Sequence, residues 1–157
     1  MSALASTKAF ADIVKKEVKR IDVVFLNAGV FNKVFNVGKG GFEETIQVNV
    51  LSTALLGLLL LPWMKQVGDG KAHLAFVTSG THRNVDIDKW PQENVLSYLS
   101  KEENVPKAGA YATSKLLEQY VVNEIAKLAV GPDGKPQVIV NPMCPGMNSF
   151  RWLALSE

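Results

Sequence analysis

One cysteine, Cys144, occurs in the 157 residues. It has no partner for an internal disulfide and no second thiol for a zinc site, and this points to a reducing compartment. Charge of one sign is also missing. Lys and Arg number 17 against 15 Asp and Glu, a formal charge of +2, with the two signs mixed along the chain. No basic cluster supports nucleic-acid binding and no acidic tail supports a basic partner. The longest apolar run, "ALLGLLLLP" at 54–62, is far shorter than the ~20 residues of a membrane-spanning helix. It is internal, and the opening "MSALASTKAFADIVKKEVKR" has no apolar core of a signal peptide. No N-x-[ST] glycosylation site occurs. These absences lead to the expectation of a cytoplasmic protein with no membrane and no nucleic-acid partner.

What is present is a globular composition, with 47% apolar and 20% charged residues. The length suits one domain. Helix and strand patterns alternate along it. Residues 3–19 read as an amphipathic helix, with Leu4, Phe10, Ile13, Val14 and Val18 near helical spacing. Strands are expected at 22–27 ("DVVFLN"), 73–79 ("HLAFVTS") and 137–142 ("QVIVNP"). Helices are expected at 42–66 and 109–130, and 80–108 reads mostly as loop, with turns at 27–41 and 131–136.

This order predicts parallel strands joined by crossover helices. Crossovers are right-handed almost without exception. With three strands in chain order, both connecting helices fall on one face, and the opening helix is expected to join them. Only residues 146–157 remain for the other face. An apolar sheet face is therefore expected to need a second copy, a rearranged segment or further protein. Helix 42–66 has almost no polar stripe and should be buried on more than one side.

Candidate chemistry begins with "GAYATSKLLEQY" at 109–120. Tyr111 and Lys115 stand four apart, on one face of a helix. An ammonium near a phenol favours the phenolate, which suits proton exchange with a carbonyl or alcohol oxygen. A lone Y-x-x-x-K is a common coincidence, so context decides. Ser79 is expected at the end of the second strand, where ligands of open parallel sheets bind. Asn27 ends the first strand, followed by Ala28 and Gly29, which allow close backbone approach. Asn49 is an amide in an apolar helix and must find partners. Pro145 and Gly146 follow the third strand.

Together, "LNAGV", Asn49, Ser79, "YATSK" and "CPGM" resemble the short-chain dehydrogenase/reductases, above all the retinol-dehydrogenase-like and fungal members, over residues 3 to about 147. The resemblance implies a partial Rossmann-like α/β fold and an NAD(P)-dependent oxidoreductase acting on a small-molecule substrate. It implies Tyr111 as general acid/base, Lys115 as its modulator and holder of the nicotinamide ribose, and Ser79 as the anchor of the substrate oxygen. It implies Asn49 as holder of a water next to Lys115. Asn27, Ala28 and Gly29 would line the cofactor cleft, Pro145 and Gly146 would lie along the nicotinamide, and 80–108 would shape the substrate pocket.

The family's T-G-x-x-x-G-x-G diphosphate loop is not found, and "GKGG" at 38–41 reads as a loop tip. The family's Thr after Pro-Gly is replaced in the region of Asn148, Ser149 and Phe150. The expectation is a single Rossmann-like domain over 1–157, shortened at both ends, that holds the catalytic half. Three functions stay open. They are a nicotinamide-dependent oxidoreductase, a cofactor-independent isomerase, lyase or cyclase using the same residues, and a non-catalytic assembly protein. A homo-oligomer is expected through helix 42–66, helix 109–130 or the uncovered sheet face.

Overall fold

Three short apolar runs pair in parallel and in chain order. The computed structural model describes residues 4–106 and 109–146. Strand β1 is Val23–Leu26, β2 is Ala72–Val77 and β3 is Val138–Met143. The register aligns apolar rows across the sheet. Leu74 stands between Val24 and Val140, and Phe76 between Leu26 and Pro142.

The connections are helical, as parallel pairing requires. Helix α1 is Leu4–Glu17, α2 is Glu44–Val67, α3 is Val95–Leu99 and α4 is Gly109–Leu128. One core joins Ala11 of α1, Leu56, Leu60 and Met64 of α2, Val122 and Ile125 of α4, and the inner sheet residues Leu26, Leu74, Phe76 and Val138. The two connecting helices, α2 and α4, therefore lie on one face, as right-handed crossovers between ordered strands demand, and α1 joins them there through Ala11 in the same core. On the opposite face Val23, Phe25, Ile139 and Met143 are each more than a third exposed. The segment expected to cover it lies, from residue 147 onward, outside the described residues, as do Asn148, Ser149 and Phe150.

Helix α1 corrects one expectation. Its inward residues are Thr7 and Ala11, with Val14 packed behind them, whereas Leu4, Phe10 and Ile13 are exposed. The small side chains allow the helix to approach α2 closely, and size decided the contact over hydropathy. Helix α2 has the length and composition to cross a bilayer, with mean hydropathy 1.7, but 67% of its apolar window is buried inside the protein. Its apolar circumference is explained by packing on the sheet, on α1 and on α4. Residues 80–108 hold more structure than a loop. Two 3-10 turns, Gly80–Asn84 and Glu102–Asn104, flank α3. Leu99 of α3 forms a second small core with Ile46 and Val50. Five residues are too few for a helical period to be read in sequence.

Helix α2 packs tightly on the sheet at Gly57. A Cβ there would stand 2.8 Å from Phe76 Cζ, 3.4 Å from Leu26 Cδ1 and 3.5 Å from Ile125 Cδ1. Gly57→Ala gains roughly 1 kcal/mol of helix propensity, but overpacking a filled core costs about 1–3 kcal/mol. A lower urea midpoint is expected. An equal or higher midpoint would show that Phe76 can yield.

Candidate active site

The carboxyl ends of the strands open on a cavity of about 450 Å³. Asn27 and Gly29 enter it from the turn after β1, Ser79 from the turn after β2, and Pro145 and Gly146 from beyond β3. Tyr111 and Lys115 enter from the first turns of α4. Seven of the nine residues expected at the site thus share one wall. Ala28 and Asn49 do not. Ala28 lines a separate apolar groove of about 480 Å³ beside the open edge of β1, with Phe10, Phe25 and Leu56. Asn49 is fully buried behind the turn.

Asn49 lies in a π-helical stretch, Gln47–Ser52, inside α2. Two hydroxyls match this wider turn: Ser52 Oγ donates to the carbonyl of Gln47 and Thr53 Oγ1 to that of Val48, each five residues back. The first turn of α2 is anchored by Glu43, whose buried carboxylate accepts from the Ile46 N–H and the Thr45 hydroxyl, both at 2.9 Å. This fixes the height at which Asn49 meets the β1 turn. Its Oδ1 accepts from the Val30 N–H at 2.8 Å, and its Nδ2 donates to the Val30 carbonyl and to Ser114 Oγ, both at 3.0 Å. Ser114 in turn donates to the Tyr111 carbonyl at 2.8 Å. The side chain is committed to tying the turn after β1 to the start of α4. A Cβ on Gly29 would stand 3.1 Å from Asn49 Oδ1, so the turn passes where only a glycine sits without displacing the amide.

Lys115 Nζ donates to the Val77 carbonyl at 2.6 Å and to Glu118 Oε2 at 2.8 Å. Both side chains are almost wholly buried, 6% and 2% exposed. The ammonium lies 5.8 Å from the centre of the Tyr111 ring, within range of the ring's electron-rich face. Two of its three protons are engaged. Burial raises the Glu118 carboxyl above its ordinary value of 4.5, and the hydrogen bond and charge of Lys115 oppose this. Glu118 was not singled out in the sequence, because a Glu three residues after a Lys on a helix is more often a solvated pair.

Ser79 lies two residues past β2, not within it, and caps the Gly80–Asn84 turn. Its Oγ accepts from the Thr81 N–H and the Thr81 hydroxyl. This leaves its own O–H as a donor toward the cavity. Cys144 also lines the cavity. Its exposed thiol is held below its ordinary range by the N–H of Gly146 and then that of Gly80, the latter 3.3 Å from Sγ. Phe31, two residues past Gly29, meets the Tyr111 ring edge-on with centroids 5.0 Å apart. Phe31 carried no sequence signal of its own, whereas Cys144 stands in the CPG run after the third strand.

A family model described as short chain dehydrogenase matches residues 1–87. A short-chain dehydrogenase/reductase of Aspergillus flavipes is 34% identical over 151 residues, covering 94% of this chain and 43% of that protein. A short chain dehydrogenase of Arthrobotrys oligospora is 36% identical over 153 residues, covering 94% of this chain and 46% of that protein. The chain thus spans a little under half the length of these curated relatives. Among solved structures, a metagenomic short-chain oxidoreductase in complex with NADP superposes with a TM-score of 0.64 at 22% identity, covering 93% of this chain and 56% of that one. An alcohol dehydrogenase from Thermococcus sibiricus complexed with 5-hydroxy-NADP gives 0.62 at 21% identity, covering 92% and 51%. At these identities the likeness is one of fold.

Two measurements follow from the buried polar groups. Asn49→Ala strands both polar groups of Val30 and should cost about 2–4 kcal/mol, with faster amide exchange at Val30. A loss below about 0.5 kcal/mol would mean that water replaces the amide freely. For Glu118, the raised folded-state value means that the folded protein binds more protons than the unfolded chain above pH 4.5. Stability should therefore fall as pH rises from there through the folded-state value. Urea unfolding at stepped pH should show this decline flattened in Glu118→Gln. The same slope in both proteins would remove Glu118 as its source.

Proposed function

This chain belongs to the short-chain dehydrogenase family, and we propose that its cleft serves NAD(P)-dependent interconversion of a carbonyl and an alcohol. The observation that carries this reading is the convergence of Tyr111, Ser79 and Lys115 on one cavity at the carboxyl ends of the strands, beside Gly29 and Pro145–Gly146. The cavity has the size of a small-molecule site.

In this reading the Tyr111 hydroxyl gives a proton to the substrate oxygen during reduction and takes one from the alcohol during oxidation. Ser79 donates its free O–H to the same oxygen. Lys115, pinned by Val77 and Glu118, turns its remaining proton toward the cleft, where a ribose hydroxyl can accept it. Asn49 acts through Val30 and Ser114, holding the two walls in register. The nicotinamide supplies the hydride exchange that side chains cannot. The residues present suit its nicotinamide–ribose end: a turn without a side chain at Gly29, a cationic donor at Lys115 and the Pro145–Gly146 wall. Two structural neighbours hold NADP and 5-hydroxy-NADP, which accords with a nicotinamide cofactor of either kind.

Residues 1–157 are read as one Rossmann-like domain. The exposed apolar residues Val23, Phe25 and Ile139 of the uncovered sheet face form the surface best suited to a second protein layer, and a further copy of the chain is the proposed occupant. The lone Cys144 accords with a reducing, cytoplasmic setting.

Titration of the purified chain with NADPH, with light scattering on the same sample, tests both proposals. Saturable binding and a mass above one chain are expected. Tyr111→Phe should reduce carbonyl turnover by about 10²–10⁴-fold while NADPH affinity stays within about twofold. No affinity for NADPH or NADH at millimolar concentration would remove hydride transfer from this chain. Turnover of a carbonyl compound that persists without NADPH and is lost in Tyr111→Phe would favour isomerisation, elimination or cyclisation instead.

A further inference from the structure

Phe31 occupies an unusual position for an apolar side chain. It is 65% exposed, it lines the cleft, and its ring stands edge-on to that of Tyr111 at 5.0 Å and 66°. One edge contact leaves most of the ring in water, so its burial by an apolar ligand is favourable. Val30, Val77 and Pro145 continue an apolar wall around the same opening. The hydroxyls of Ser79 and Tyr111 are neutral donors that suffice for one oxygen atom. Among the described residues that line the cavity the charged one is Lys115, already balanced inside the protein by Glu118 Oε2 at 2.8 Å; Arg83 acts on Cys144 from outside that lining. A carboxylate or phosphate entering beside Tyr111 would meet a neutral ion pair. It would lose hydration without gaining a full cationic partner.

From this arrangement we infer that the site takes a neutral, apolar carbonyl compound or secondary alcohol, whose ring or alkyl group seats on Phe31. Phe31 is then the residue that sets substrate preference. The inference rests on the oxidoreductase reading of the same cleft and narrows its substrate class.

Three probes separate the two demands. Acetophenone is neutral and aromatic, benzoylformate carries a carboxylate on the same ring and carbonyl, and dihydroxyacetone is neutral but polar. Their binding to the 157-residue chain can be followed by NMR at the Tyr111 and Phe31 ring signals. Acetophenone should shift both signals saturably and bind about tenfold more tightly than either of the others. Phe31→Ala should abolish about that tenfold advantage, and Phe31→Leu, which keeps an apolar surface, should retain most of it. Because Phe31 is largely exposed, both variants should keep the wild-type amide spectrum. Equal affinity for benzoylformate, an unchanged affinity in Phe31→Ala, or no saturable binding of acetophenone to the folded chain would overturn the inference. NADPH titration of the same sample keeps the two proposals apart. Acetophenone binding without binding of NADPH or NADH leaves the substrate class standing and removes hydride transfer. NADPH binding without acetophenone binding does the reverse.

Discussion

The handedness of the strand crossovers is the constraint on which the rest of the molecule depends. Three parallel strands in chain order, joined by two right-handed connections, force α2 and α4 onto one side, where α1 packs beside them. The core then forms between that sheet face and the inner sides of α1, α2 and α4. The same constraint brings every strand's carboxyl end to one edge, where the turns bearing Asn27, Ser79 and Pro145 meet the start of α4. It also leaves Phe25 and Ile139 facing outward. The cleft and the exposed apolar face are two results of one topology.

Buried polar groups hold the cleft at its junctions. Apolar packing positions α2 and α4 on the sheet, but it is not directional and cannot alone fix the turn after β1 against the first turn of α4. The Asn49 amide does this with three hydrogen bonds, two to Val30 and one to Ser114. Lys115 joins the end of β2 to α4 through the Val77 carbonyl, with Glu118 as its counter-ion. Each of these groups would be costly to bury alone. Paired, they have few alternative arrangements, which suits a site where a phenol, a hydroxyl and an ammonium must keep their relative places.

Much of this was legible before any coordinates. Apolar runs gave all three strands to within two residues, and long periodic segments gave the three long helices, because period and length are local properties of a chain. The face that α1 buries was misread: Phe10 and Ile13 outrank Thr7 and Ala11 in hydropathy, yet close helix packing rewards small size. Helix α3 was missed because Val95–Leu99 is held by Ile46 and Val50, which are distant in sequence. At the site, Tyr111 and Lys115 were visible through their spacing, and Ser79, Asn27 and Pro145 through their places after strands. Cys144 shared that mark in the CPG run after the third strand, but Glu118 and Phe31 had none. A buried Glu and an exposed Phe look ordinary until the fold shows what they face.

The sequence by itself determined the order and type of the main elements, the parallel sheet and the side on which its helices lie, since these follow from local periodicity and from the chirality of L-amino acids. Only the tertiary structure decided which residues share the cleft wall, that the Asn49 side chain clamps Val30 and Ser114, and that the charge of Lys115 is balanced by Glu118. Those facts depend on distances between segments as many as 65 residues apart. Such distances are set by side-chain volumes packed across the whole core, a quantity that no local stretch of sequence contains.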